Sequence, residues 1–229
     1  MPKQRDGDRF FEPDTLRYLR ELARNNNRDW FLKNKARYEQ SVQTPALRFI
    51  DAMAACLATV SPYLRGDSRP FGGSLSRIYR DTRFAKDKSP YKTHVGIHFF
   101  HEKASKGVSL PGFFFHLAPG ESRIHSGMWH PEPRELTKIR DAIVATPAAW
   151  GRVVKDGLTI EGESYSRVPR GYAPDHRYAT DLRRKDFFAS QKFSDAEISS
   201  ATFGSDFIAA CRELDPLNKF LAKAIGLPW

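Results

Sequence analysis

Apolar residues recur at every third or fourth position through the first quarter of the chain. Leu16, Leu19 and Leu22 follow Pro13 at helical spacing until Asn25, Asn26 and Asn27 end the run, so a first helix is expected here. A second helix is expected to carry Trp30, Phe31 and Tyr38. A third should begin at Thr44 and Pro45, with Leu47, Ile50, Ala54 and Leu57 on one face. From Ser74 the period shortens toward two. Ser74–Tyr79, Thr93–His101, Pro111–Ala118 and Glu121–Trp129 read as strands of an antiparallel meander, with Pro119 and Gly120 suited to the centre of a type II turn.

Helical spacing then returns. Leu136, Ile139 and Ile143 mark one helix, and Pro147 with Trp150 marks a short one. Ser164–Arg177 reads as a long loop, because Pro169, Gly171 and Pro174 break both periods. Ser194 and Glu197 form a capping-box pair, and Phe207, Ile208 and Cys211 share a face. Asp215 and Pro216 are expected to restart a last helix that ends at Gly226. Helices, then strands, then helices define an α+β fold: N-terminal helices, a central antiparallel sheet meander and C-terminal helices. The expectation is a single domain over residues 1–229, with residues 1–9 a flexible N-terminus.

A chain of 229 residues that is 40% hydrophobic and 13% aromatic can bury a substantial core. It contains no apolar run near the ~18 residues that a bilayer span needs, and MPKQRDGDRF offers no signal-like stretch. No membrane association is expected, and a cytoplasmic location is. Cys56 and Cys211 fall at apolar positions of helical patterns far apart, which points to two buried thiols rather than a disulfide or a cysteine metal site.

The formal net charge of +10 is concentrated in two windows. Residues 75–95 hold Arg77, Arg80, Arg83, Lys86, Lys88 and Lys92 against Asp81 and Asp87. Residues 164–185 hold Arg167, Arg170, Arg177, Arg183, Arg184 and Lys185 against Asp175 and Asp181. Each nets +4, which is the pattern of a localised basic surface. If the fold joins the windows, they form one anion site.

Within the first window, RDTRFAKDKSPYKTH (Arg80 to His94) is dense in guanidinium, ammonium and carboxylate groups. Such a cluster favours phosphate or carboxylate ligands, with Asp81 and Asp87 holding the cations in place. Pro90 biases Ser89 toward an extended conformation, so Lys88, Tyr91 and Lys92 are expected to converge in a fixed turn. The bland alternative is an inert ordered loop in which Asp81 and Asp87 pair with neighbouring arginines while Phe84 and Tyr91 plug the core.

His94, His98, His101, His116, His125 and His130 all lie within the meander. By alternation His94 and His98 share one face and His101 takes the other. No HExxH, CxxC or clustered HxH pattern accompanies them, so no metal is expected, and His94 or His116 is the better candidate for acid/base work. SRVPRGYAPDH (Ser166 to His176) is either a lid over a phosphate or a plain surface loop, with Asp175 and His176 capping the helix that follows. Gly72-Gly73 lacks the spacing of a phosphate loop, and GESYS at Gly162 lacks the second glycine of a nucleophile elbow.

NNNRDWF (Asn25 to Phe31), SRIYRDTRFAKDKSPYKTH (Ser76 to His94), SGMWHP (Ser126 to Pro131), the Arg140 helix and RVPRGYAPDH (Arg167 to His176) with Leu182, Arg183 and Lys185 together resemble the domain of unknown function 2461 family. The resemblance runs from about Phe10 to about Phe188. It rests most on the RDxRFxxDKxPYK string, matched at Arg77, Arg80, Asp81, Arg83, Phe84, Asp87, Lys88, Pro90, Tyr91 and Lys92. It implies a conserved hypothetical α+β domain and carries over no catalytic residue. Ser126 departs from the glycine that the family tends to place ahead of Gly127.

The leading expectation is a binding domain, or an enzyme with acid/base chemistry, for a phosphorylated or otherwise anionic small molecule. Arg77, Arg80, Arg83, Lys88 and Lys92 would hold the anion, Arg167 and Lys185 would close the site, and Tyr91, His94 or His116 would move protons. A nucleic-acid-binding module is the second reading, from a pI of about 9.7 and aromatics interleaved with cations. A non-catalytic interaction domain is the third. The sequence names no cofactor, substrate or oligomeric state.

Overall fold

The computed structural model describes residues 9–105, 108–155 and 158–229; the flexible-terminus expectation lies almost wholly outside these residues. Helix α1 spans Pro13–Arg24, with Pro13 in the first turn, where a missing N–H is harmless. It buries Leu16, Leu19 and Leu22 as the spacing predicts, and Tyr18 as well. Helices α2 (Arg28–Lys33) and α3 (Lys35–Tyr38) follow, and a π-helical turn over Glu39–Gln43 leads directly into α4 (Thr44–Leu57).

The expected break at Thr44 and Pro45 is therefore a widened turn. Pro45 cannot donate to the Ser41 carbonyl, and its ring crowds the preceding turn. The Thr15 hydroxyl donates to that carbonyl instead, at 2.6 Å. Helix α4 turns Phe49, Ile50, Met53 and Leu57 inward, whereas Leu47 and Ala54 of the expected face are half-buried.

Strands β1 (Leu64–Arg65), β2 (Val95–His101), β3 (Gly112–Leu117) and β4 (Arg123–Met128) come next. Helices α5 (Pro133–Ala145), α6 (Pro147–Lys155) and α7 (Ala179–Leu182) precede β5 (Phe187–Lys192), and α8 (Asp195–Ile198) and α9 (Phe203–Ile225) close the chain. The strands form one antiparallel sheet in the order β1-β2-β3-β4-β5. The Pro119-Gly120 turn forms as expected, with Gly120 at φ 75° and the Glu121 N–H donating to the Ala118 carbonyl at 3.1 Å. The Ser194–Glu197 capping box also forms, and residues 165–177 carry no helix or strand.

Alternation divides the sheet into two unlike faces. Val95, Ile97, Phe99, Phe113, Phe115, Leu117, Ile124, Met128, Phe187 and Ala189 point to the helices and are buried. Phe49 of α4 is central there, with its ring centroid 5.5 Å from Phe115, 5.5 Å from Phe203 and 5.0 Å from Phe207. Residues of the opposite face, among them His98, Phe114 and His125, line a cavity that is open to solvent.

Two further expectations are corrected. Ser74–Tyr79 is not a continuous strand: its ladder pairing is confined to the isolated bridges Leu75↔Ile97 and Tyr79↔Tyr91. The chain opposite carries two extra residues between those bridges, and Thr93 and His94 form a bend there. Next, Pro216 does not restart a helix but lies inside α9. An interior proline costs about 3 kcal/mol. Phe207, Cys211, Leu214, Leu217 and Leu221 continue one buried face through it, and each large apolar side chain contributes about 1.5–3 kcal/mol. Ser126 lies within β4, inside the expected Glu121–Trp129 strand, and is buried with its hydroxyl donating to the Leu214 carbonyl at 3.1 Å.

Strand β5 carries no strand signal in the sequence, because FFASQK does not alternate. Phe187 faces the core, while Phe188 is covered on the other face by Trp129, stacked at 4.7 Å. Of the two cysteines, Cys211 is buried as expected and Cys56 is only half-buried. Among the described residues no helix is long and apolar enough to cross a membrane.

Candidate functional site

The end of α1 and the 80–94 segment enclose a cavity of about 510 Å³, lined by Asn26, Arg80, Asp87, Lys92 and His94 among others. Asn26 joins the two walls. Its side-chain amide donates to the Tyr91 carbonyl at 2.9 Å, and its carbonyl oxygen accepts from the Tyr91 N–H at 3.1 Å. The asparagine run that ends α1 thus also fixes the basic segment, a role that a helix-stop reading does not reveal. Tyr91 contributes to the cavity wall, yet its ring is 3% exposed and stacks on Phe31 at 4.1 Å. It is a core ring as much as a site residue.

The cations of the segment differ in how far they are neutralised. Arg80 donates to the Asp87 carboxylate and, at 3.1 Å, to the Ser89 carbonyl. Hydrogen bonds from the Ser89 hydroxyl and N–H, with Arg80 beside them, hold the Asp87 carboxyl down at about 2. Arg83 pairs with Asp81 at 2.7 Å, and Lys88 donates to the Thr82 carbonyl at 3.0 Å. Phe84, which the inert-loop alternative places in the core, is 95% exposed.

Lys92 is different. It is half-buried and lines the cavity, and its ammonium has no hydrogen bond or salt bridge among the described residues, while its backbone N–H donates to the Ile78 carbonyl at 2.8 Å. Burial, and Arg77 nearby, lower its pKa. Arg77 itself is exposed and likewise without a salt bridge among the described residues.

The bend at Thr93 brings the His94 ring to 4.5 Å from that of His116. His116 stands on the open face of the sheet, so the pair links the cavity to that face. Burial, then His116, Lys92 and Arg80, hold His94 down at about 4. Burial and Arg123 lower His116 as well. Both imidazoles are neutral near pH 7 and can accept a proton, and an anion beside Lys92 would make His94 more basic.

The other histidines divide as alternation predicts for His98, which is exposed on the open face, and His101, which is buried on the other. The His101 ring stacks with Tyr63, its Nε2–H donates to the Pro228 carbonyl at 2.9 Å, and its Nδ1 accepts from the Lys103 N–H. His130 contacts the buried Asp186.

The second window lies elsewhere. Residues 74–80 run beside β2 and the segment before it, on the side where β1 pairs, and residues 161–164 run along the outer edge of β5. Five strand spacings separate them, on the order of 24 Å. Lys185 pairs with Glu163 at 3.1 Å and sits 5.2 Å from the Tyr165 ring centre, and Arg184 pairs with Asp181 at 3.0 Å. Arg167 is exposed, and the buried Nε of Arg183 has no hydrogen-bond partner. Arg167 and Lys185 therefore do not close the first-window cavity.

Two buried groups organise this second region. Arg140 donates to the carbonyls of Leu182 (2.8 Å) and Arg184 (2.7 Å). Asp186 accepts from the N–H groups of His130 (2.8 Å) and Glu163 (3.0 Å). Helix α7 is capped by Tyr178 rather than Asp175, and His176 accepts from the Tyr178 N–H at 3.1 Å.

Residues 14–220 match the family described as conserved hypothetical protein, DUF2461. The chain belongs to the DUF2461 family. No curated protein and no solved structure matches it. The DUF2461 match takes in both walls of the Lys92 cavity, the open sheet face and the Arg140–Asp186 region alike.

Proposed function

We propose that this DUF2461 chain binds a phosphorylated or otherwise anionic small molecule in the cavity between α1 and residues 80–94. Lys92 and Arg80 hold the anion, Arg77 adds long-range attraction, and His94 with His116 serves any proton transfer. Lys92 carries this reading. A half-buried ammonium with no counter-ion is unfavourable in the free protein, and an anion in the cavity relieves that cost. Asp81 and Asp87 act in support, since each is already engaged by residues of its own loop.

Thermal-shift titration with inorganic phosphate and a panel of sugar and nucleoside phosphates tests this. Wild type should be stabilised by at least one of them and Lys92→Met by none. Equal stabilisation of both proteins would overturn it.

A nucleic-acid-binding module is the second reading, supported by Phe84 and Phe71, which are 95% and 87% exposed, and by Arg83 lying 5.9 Å from the Phe84 ring centre. It requires affinity for DNA or RNA that falls steeply with salt. The third reading, a structural role for the charged segment within an interaction domain, draws support from the Asp81–Arg83 and Asp87–Arg80 pairs. It requires Lys92→Met to be silent in every binding assay.

A further inference from the structure

The open face of the sheet holds a second, larger cavity of about 780 Å³, and most of its residues lie outside the charged motifs. Strand register arranges this face in three rows. Gly96, His116, Arg123 and Lys192 form the first, His98, Phe114, His125 and Ser190 the second, and Phe100, Gly112, Gly127 and Phe188 the third. The first row is polar and basic, and the other two are aromatic.

Arg123 and Lys192 are direct cross-strand partners. Like charges placed opposite one another on a sheet repel. Arg123 lines the cavity and Lys192 stands exposed beside it; the side chain of neither makes a hydrogen bond or salt bridge among the described residues, and Glu121, exposed at the same end, pairs with neither. His116 continues this row, and His94 lies beyond it.

The neighbouring rows form a shelf of flat rings. The Phe114 ring lies 4.4 Å from His98 and 6.0 Å from His125, and Trp129, 57% exposed, stacks on Phe188. The backbone leaves room for this shelf. A side chain at Gly96 would meet the Phe114 ring at 3.0 Å, and Gly127, at φ 126°, would drive a Cβ into the Phe187 carbonyl. Val108 and Leu110 form an opposing wall. Burial holds His125 down at about 4, so its ring is neutral, and its Nδ1 has no hydrogen-bond partner.

We propose that this face binds a planar aromatic or heteroaromatic ring that carries an anionic group, with the ring on Phe114 between His98 and His125 and the anion at Arg123 and Lys192. The volume falls within the roughly 300–1,000 Å³ of small-ligand pockets, and an apolar lining with a few convergent polar groups is the usual composition of such a site. Ring stacking supplies area, and the unneutralised pair supplies selection for charge. The site is lined by different residues from the Lys92 cavity and adjoins it at His94 and His116, and the Lys92 charge also reaches His98.

Calorimetric titration of the full chain with naphthalene-2-sulfonate, its neutral counterpart naphthalene-2-methanol, and methanesulfonate tests the proposal. The sulfonate should bind at least about tenfold more tightly than the alcohol, the loss expected when a charge-assisted contact is missing, and methanesulfonate should not bind measurably. The double variant Arg123→Gln, Lys192→Gln should erase that preference while leaving the alcohol unaffected. Phe114→Ala and the more exposed Trp129→Ala should weaken both ring compounds. Lys92→Met should change none of these values, which separates this site from the phosphate cavity.

Equal affinity for sulfonate and alcohol, loss of sulfonate binding in Lys92→Met but not in the double variant, or no binding of any probe would each overturn the proposal. So would a dimer in sedimentation that Trp129→Ala dissociates, because the face would then be filled by a second copy.

Discussion

The two basic windows carry the same net charge and lie at opposite edges of one sheet, yet their cations stand in different relations to the fold. Around the second window, Arg140 ties down two carbonyls, Arg184 and Lys185 have carboxylate partners, and Asp186 secures two loops. In the first, Arg80 and Arg83 are engaged within their own loop, while Lys92 is half-buried in a cavity and pairs with no carboxylate among the described residues. Charge density marks where cations are, and neutralisation marks where a ligand is needed. By that criterion Lys92 marks the first window as a candidate binding site, while the second is mainly architecture and leaves the buried Nε of Arg183 without a hydrogen-bond partner.

Removing a buried group near the second window tests this contrast most severely. Arg140→Ala and Asp186→Ala should each lower stability by about 3 kcal/mol in urea denaturation, because each strands backbone groups that are out of water. A loss below about 1 kcal/mol would remove the contrast.

Acid should reveal the first window and the open face. His94 and His125 bind a proton near pH 4 when folded and near 6.5 when unfolded. The unfolded chain takes up more protons between those values, so these residues' contribution is complete above pH 6.5 and disappears as pH falls toward 4. Each should account for about 1–2 kcal/mol over that range. Denaturation midpoints measured across pH should show a shallower slope in His94→Gln and in His125→Gln, and an unchanged slope would mean that neither ring is desolvated.

Lys92→Met should behave unlike any change near the second window. Stability should hold or rise by up to about 1 kcal/mol, because a desolvated cation is removed, while stabilisation by phosphate is lost. Destabilisation in urea would place Lys92 among the structural cations. The smallest effect is expected from Arg83→Ala, whose partner Asp81 is also solvent-exposed; the melting temperature should not move measurably.

Much of the fold can be read from periodicity. The α1 face, the β2–β3–β4 meander, the Pro119-Gly120 turn and the Ser194 cap depend on residues a few positions apart, and each forms. The misreadings occur where distant residues compensate for a local signal. Thr15 supplies the bond that allows helix through Pro45, the continuous face of α9 outweighs Pro216, and Trp129 covers Phe188 so that β5 loses its alternation.

The candidate site was legible to a similar depth. The sequence pointed to Arg80, Lys92, His94 and His116, which do converge. It also grouped with them Arg167 and Lys185, which lie across the sheet, and Tyr91, whose ring is largely in the core. Asn26, 65 residues from Tyr91, and the Arg123–Lys192 pair carried no local signal.

By itself the chain determined its family, its α+β class and the position of its excess charge, because these depend on composition, short-range period and a long specific string. Only the tertiary structure decided which cations meet a carboxylate, which meet a carbonyl and which face a cavity alone. Those outcomes depend on chain returns across tens of residues and on the side of a sheet to which each residue points, and no local spacing encodes either.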